Sequence, residues 1–184
     1  MIKRLVVTGY KAHELGIFNE KKHPGFPYIK RALEQRLRVL IDEGLEWVII
    51  SGQLGVELWT AEIVLELKQE FPDIKLAVLT PFLNQEQNWK EEKQEYYRGI
   101  VNQVDYVNSI TKREYEGPWQ FKAKTEFLLD NSDALLLLYD DEKEGSPKFL
   151  LEEAKKRAEK EGYEYMQITS YDLQLLVEED SFHS

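Results

Sequence analysis

Nine residues, Ser51-Gly52-Gln53-Leu54-Gly55-Val56-Glu57-Leu58-Trp59, gather more groups with chemical potential than any other stretch of the sequence. They follow the apolar run Trp47-Val48-Ile49-Ile50 and open a stretch of helical character. Glycines at such a junction let the backbone approach a ligand and adopt positive φ. Free N–H groups at a helix start, with the helix dipole behind them, form an anion site. The same residues also suit a tight strand-to-helix turn capped by Ser51, and both readings stand. The spacing is neither GxGxxG nor GxxxxGK[ST], so neither the dinucleotide fingerprint nor a Walker A loop is present. Glu57 falls in the first helical turn. There it complements the dipole, worth about 0.3–1 kcal/mol, or accepts hydrogen bonds from ribose hydroxyls. Gln53 sits between the two glycines as a further polar contact, and Trp59 and Trp47 read as packing residues.

Other candidate groups close other apolar runs. Thr8-Gly9-Tyr10-Lys11 ends the first one; Gly9 would let a phosphate approach and Lys11 would neutralise it, or the segment is a loop with a solvated lysine. His13 and His23 lie in the same polar loop without a carboxylate constellation, so no metal site is expected. Residues 140–148 read DDEKEGSPK. Ser146 can cap a helix with Pro147 in its first position, and Gly145 and Lys148 would then face the crevice. The acids Asp140, Asp141, Glu142 and Glu144 suit magnesium or sugar hydroxyls, or form a solvated loop. Thr80-Pro81-Phe82 with Asn84, Asn88 and Trp89 could hold a base, or Trp89 anchors its loop. No serine triad and no HExxH motif is present. No catalytic set is complete; Glu57 is the leading candidate acid/base, with Asp140 behind it.

The elements that would position these groups follow from hydrophobic spacing. Strand-like runs occur at residues 5–7, 47–50, 76–79, 105–110, 134–139 and 165–168. Between them lie helical patterns: Ile29 to Ile41, stopped by Gly44; Gly55 to Glu70; Glu86 to Val104; Pro118 to Asn131; and Ser146 through Lys160, stopped by Gly162. Ala134 to Tyr139 is apolar without alternation, as expected for a strand buried on both faces. Such β–α alternation predicts a Rossmann-like α/β fold, a mostly parallel sheet with helices on both faces. One domain is expected over residues 1–180, with 181–184 a frayed tail. In open parallel sheets ligands bind beyond the carboxyl ends of the strands, which is where the candidate residues fall.

Composition narrows the function class. The chain has 184 residues and no cysteine, which excludes disulfides, thiolate metal sites and cysteine nucleophiles. No apolar run approaches the roughly 20 residues of a membrane-spanning helix, and the apolar N-terminal run is too short for a signal peptide. A cytoplasmic protein is expected. The net charge is −10, distributed as +3 over residues 1–51, −6 over 52–139 and −7 over 140–184. A surface this acidic repels nucleic acid, yet the locally basic first third leaves room for a small phosphate site.

Four blocks together carry a likeness to a known family: Thr8 to Lys11 with Glu14-Leu15-Gly16-Ile17-Phe18; Ser51 to Trp59; Thr80-Pro81-Phe82 with Asn88-Trp89; and Glu144 to Lys148. The sequence resembles the YpsA family of Firmicutes across nearly its whole length. That family belongs to a Rossmann-like superfamily with the DNA-processing protein DprA and the Lonely Guy phosphoribohydrolases. The resemblance implies binding of a nucleotide or a derivative such as NAD or ADP-ribose, and a link to bacterial cell division through a protein partner. It places Thr8, Gly9, Ser51, Gly52, Gly55 and Glu57 around the ligand, with Gly145 and Ser146 opposite; Lys11 and Gln53 complete the expected set. The DprA-type motif SGxAxGID is not reproduced, since Gly52 and Gly55 are one residue closer. The phosphoribohydrolase motif PGGxGTxxE is also missing. The leading expectation is therefore a nucleotide-derivative binding or sensing protein. The alternatives are a hydrolase of an N-glycosidic or pyrophosphate bond, and an interaction module with a vestigial pocket, in which surface aromatics such as Trp119 would matter.

Overall fold

Five consecutive apolar residues, Ala134–Leu138, form a strand with every side chain buried, and the fold is built around it. The computed structural model describes residues 1–183. In chain order the elements are β1 (Arg4–Gly9), a short 3-10 turn (Ala12–Leu15), α1 (Phe26–Asp42), β2 (Trp47–Ile50), α2 (Val56–Leu67), β3 (Lys75–Thr80), α3 (Glu91–Val101), β4 (Tyr106–Ser109), α4 (Trp119–Asp130), β5 (Ala134–Leu138), α5 (Lys148–Glu161), β6 (Glu164–Ile168) and α6 (Ser170–His183). The six strands form one sheet in the order β4-β3-β2-β1-β5-β6, and every pairing is parallel. The α/β Rossmann-like arrangement read from the sequence is the one observed.

The chain starts at β1, steps outward to β4, then returns to the other side of β1 as β5. Because parallel crossovers are right-handed, the outward steps place α1, α2 and α3 on one face, and the return places α4 and α5 on the other. The contacts agree: α1 packs on α2 and α6, α2 on α3, and α4 on α5. The direction of winding reverses between β1 and β5, where Leu5 to Gly9 pair with Ala134 to Leu138. A crevice at such a reversal is the expected ligand position in this class of sheet.

Two glycines bring the start of α2 against the end of β1. A Cβ on Gly9 would lie 2.7 Å from the Val56 side chain. Gly55 has φ of +101°, and a Cβ there would lie 2.5 Å from the Ala12 nitrogen. Neither place admits a side chain without movement. α2 is buried on nearly all sides, and Trp59 meets Phe26 edge to face at 5.1 Å, so its packing role holds.

Several boundaries differ from expectation. α2 ends at Leu67 and α3 starts only at Glu91, because Asn84 takes φ of +56° and residues up to Lys90 form turns. Ser146 does not cap α5: Pro147 is at the cap position without a side-chain bond, and the Ser146 hydroxyl donates to Glu14 instead. α6 was unforeseen, and it runs to His183 through the stretch read as a frayed tail; Ser184 lies outside the described residues. None of its residues is fully buried, though Leu173 and Leu176 pack partly against the core. Its start is a capping box, in which the Thr169 N–H donates to Asp172 at 2.8 Å and the Asp172 N–H donates to the Thr169 hydroxyl at 3.4 Å. Arg31 ties its far end, bonding Asp180 at 3.0 Å and the Leu176 carbonyl at 3.1 Å.

The Gly9–Val56 contact is testable by urea unfolding. Gly9→Ala should cost about 1–3 kcal/mol through overpacking with an unchanged m value. Val56→Ala makes room for the added methyl, so the double variant should lose less than the sum of the two single losses. Strict additivity would show that the approach does not limit this junction.

Candidate functional site

At the β1–β5 reversal a cavity of about 660 Å³ opens between α4 and α5, within the size range of small-molecule sites. Its floor is Thr8, Gly9, Lys11, Gln53 and Glu57. One wall is α4, with Pro118, Phe121, Lys122, Lys124, Thr125 and Glu126; the other is α5 and its leading turn, with Ser146, Pro147, Phe149, Leu150, Glu152, Glu153 and Lys156. Six of the ten binding residues read from the sequence therefore meet here: Thr8, Gly9, Lys11, Gln53, Glu57 and Ser146.

The other four are placed differently. Ser51 lies below the floor and is bonded to Glu57. Gly52 packs under the Gln85 amide and the Tyr97 ring, and Gly55 is wedged against the backbone of residues 10–12. Gly145 faces the Tyr10 ring and the Glu14 carboxylate, which a Cβ would meet at 2.8 and 2.7 Å. All three glycines are thus occupied by protein contacts.

Glu57 is buried at 5% exposure, and its carboxylate is the hub of the floor. One oxygen accepts the Ser51 N–H at 2.8 Å, the Ser51 hydroxyl at 2.8 Å and the Gln53 N–H at 3.3 Å. The other accepts the Thr8 hydroxyl at 2.8 Å. One carboxylate thereby joins the ends of β1 and β2 to the loop that starts α2. Gln85 extends this network: it accepts from Gln53 at 2.9 Å and donates to the Ser51 carbonyl at 2.9 Å and to the Tyr97 hydroxyl at 3.3 Å.

A second carboxylate, Glu14, fastens the two loops beside the cavity. It accepts the Lys11 N–H at 2.7 Å, the Ser146 hydroxyl at 2.6 Å and the Ser146 N–H at 2.8 Å. Burial pushes its pKa up, but the three donors outweigh that and hold it below the usual glutamate value. Its contribution to stability is therefore present above the unfolded glutamate pKa and lost as pH falls through the depressed folded value. Tyr10 adds to the tie, its hydroxyl bonded to the Asp140 N–H at 2.8 Å and the Asp140 carbonyl at 3.0 Å.

The acidic loop does not face the cavity. Asp140 accepts the Glu142 N–H at 3.0 Å and the Ser170 N–H at 3.3 Å, at the start of α6, which excludes it as an acid/base here. Glu144 pairs with Lys148 at 3.1 Å, taking that lysine away from the expected phosphate. Among the described residues no group of three or more His, Asp or Glu side chains is arranged for a metal ion. The Phe82–Trp89 loop does not line the cavity as a base holder. Phe82 meets Tyr115 and Phe121 edge to face at 5.1 and 5.6 Å, and Trp89 meets Tyr97 edge to face at 5.4 Å.

What the sequence reading missed lies on α4 and α5. Lys124 is partly buried, with its ammonium 5.6 Å from the Phe121 ring centre. Among the described residues it has no hydrogen bond or ion pair. Burial lowers its pKa, Glu57 acts to raise it, and Lys11 lowers it again, for a net depression. Between the folded and unfolded values the unfolded chain holds more protons. The destabilising contribution of Lys124, fully present at lower pH, therefore fades as pH rises through that window. Lys11, Lys122 and Lys156 also line the cavity without ion pairs. The available signal was the i, i+3, i+4 spacing of Phe121, Lys124 and Thr125, and of Phe149, Glu152 and Glu153. Gln120 was missed as well. Fully buried at the start of α4, it accepts the Gly117 N–H at 3.1 Å and donates to the Thr111 hydroxyl and the Glu114 carbonyl at 3.0 Å each.

This geometry can hold a ligand with an anionic end over Lys11 and Lys124 and an apolar end between the first turns of α4 and α5. Comparison with known proteins places the chain. The YpsA family model, described as the YspA SLOG family, matches residues 5–173. The chain belongs to this family. Among similar proteins is a UPF0398 protein of Brevibacillus brevis, 61% identical over 97% of this chain and 95% of that protein. Another from Lysinibacillus sphaericus is 58% identical over 95% of this chain and 97% of its own length. A third, from Bacillus cereus, is 56% identical over 100% of this chain and 99% of that protein. Membership of the SLOG family points to a nucleotide-related role.

The Glu57 hub gives a direct expectation. Glu57→Gln turns one acceptor into a donor facing other donors, and should cost about 1–3 kcal/mol without any ligand, a fall of roughly 3–10 °C in Tm. A variant as stable as the parent would show that the carboxylate is not structural and return it to the ligand.

Proposed function

We propose that this protein binds a nucleotide-derived ligand, of the class of NAD, ADP-ribose and simple nucleotides, in the cavity at the β1–β5 reversal. The observation that carries the reading is Lys124. A cation held partly out of water with no counter-charge costs stability, and an anionic ligand would relieve that cost. Lys11 approaches the same floor and raises the local positive potential in a chain of net charge −10. Family membership supports the same class of ligand.

Binding is favoured over turnover. Glu57, the only candidate acid/base on the floor that the sequence suggested, is engaged by four donors from Thr8, Ser51 and Gln53. We read the protein as a sensor whose liganded state is passed to a protein partner; the family likeness supports a partner in cell division.

The test is thermal unfolding with NAD, ADP-ribose, AMP and ATP, on the parent and on Lys124→Met. Ligand at 100 times its Kd adds about 2.7 kcal/mol, a Tm rise of roughly 5–10 °C for a domain of this size. Lys124→Met should be more stable than the parent when empty, by about 2–4 °C, and should lose most of the ligand-induced rise. No rise with any of the four compounds, or an equal rise in the variant, overturns the reading.

A further inference from the structure

We infer that the two phenylalanines at the cavity mouth, Phe121 and Phe149, form the subsite for an aromatic base, so that the ligand is a nucleoside phosphate and not a base-free sugar phosphate. The inference rests on the proposed nucleotide site and adds its orientation.

Phe149 is 74% exposed and Phe121 40% exposed, and both line the cavity, from opposite walls. Each sits in the first turn of its helix, Phe121 in α4 and Phe149 in α5. Burial of a phenyl ring is among the largest single apolar gains available to a protein, so a ring as open as Phe149 at the edge of a cavity is a stacking surface without its partner. Phe121 is steadied from behind by Phe82 and Tyr115, at 5.6 and 6.1 Å between ring centres, so its orientation is set before any ligand arrives. Phe149 has no aromatic neighbour among the described residues and is free to close on a ring placed against Phe121.

The spacing to the cations fits one kind of ligand. The Lys124 ammonium is 5.6 Å from the Phe121 ring centre, one helical turn further along α4. A planar ring held by Phe149 and the exposed edge of Phe121 leaves the Lys124 ammonium, which lies over the Phe121 ring, for an anion on the same ligand. A nucleoside 5′-phosphate supplies that order: base, ribose, phosphate. A base-free sugar phosphate engages the lysines and leaves both rings in water.

The experiment is calorimetric titration of the full chain with AMP, ribose 5-phosphate and adenosine, on the parent, Phe149→Ala and Phe149→Trp. Phe149 is exposed, so neither variant threatens folding. The parent should bind AMP at least tenfold more tightly than ribose 5-phosphate. Phe149→Ala should weaken AMP binding at least tenfold, a change within the range of base–aromatic stacking. It should leave ribose 5-phosphate unchanged, and Phe149→Trp should retain AMP binding. Equal affinity of the parent for AMP and ribose 5-phosphate, or a Phe149→Ala variant that binds AMP like the parent, overturns the base subsite and leaves the anion site standing. An equal loss for both compounds in Phe149→Ala also overturns it, since the ring would then act on the phosphate end. A parent that binds none of the three overturns the nucleotide reading itself.

Discussion

Everything at the cavity end of the molecule depends on the hydrogen bonds that converge on the Glu57 carboxylate. Three elements end within reach of it: β1 through Thr8, β2 through Ser51, and the α2 leading loop through Gln53. Strand ends are where a parallel sheet leaves backbone groups unpaired, and buried unpaired groups are costly. A carboxylate is well suited to this place because it accepts on both oxygens and complements the positive end of the α2 dipole. The Gly9–Val56 and Gly55–Ala12 approaches follow from the same constraint, since the hub forms only if α2 starts in contact with β1.

This accounts for what was and was not legible in the sequence. The fold was legible because each strand is a short apolar run closed by a small or polar residue, and each crossover helix carries its own spacing. The sheet order was not legible, since Leu136 pairs with Val7 for reasons spread over the whole topology. α6 escaped because its apolar residues, Leu173 and Leu176 among them, are only partly buried, and its start is marked by a capping box, Thr169 with Asp172. The glycine-rich segment reads as a ligand loop, and in the fold it packs the strand ends together. Its glycines meet Gln85, Tyr97, Tyr10 and Ala12, all protein atoms.

The cavity-facing cations were hidden for a different reason. Lys124 lies in the middle of a helix flanked by Ala123 and Thr125, and nothing local marks it off from a solvated lysine. Its meaning arises only when β5 returns beside β1 and sets α4 across the floor formed by Lys11 and Glu57. Sequence reading therefore found the half of the candidate site that local structure builds, the strand ends, and missed the half that topology brings over them.

The two halves also differ energetically. Hydrogen bonds on the strand-end side are satisfied within the protein: Glu57, Glu14, Gln85 and Tyr10 all have their partners. The helix side is incomplete, with a partly buried ammonium lacking a counter-charge and an exposed phenyl ring lacking a stack. A groove that is closed and satisfied on one side and unsatisfied on the other concentrates the binding free energy on the second. A ligand that neutralises Lys124 and covers Phe149 draws on both helices at once. On the proposed reading, the α4–α5 face is where a bound state would differ from a free one.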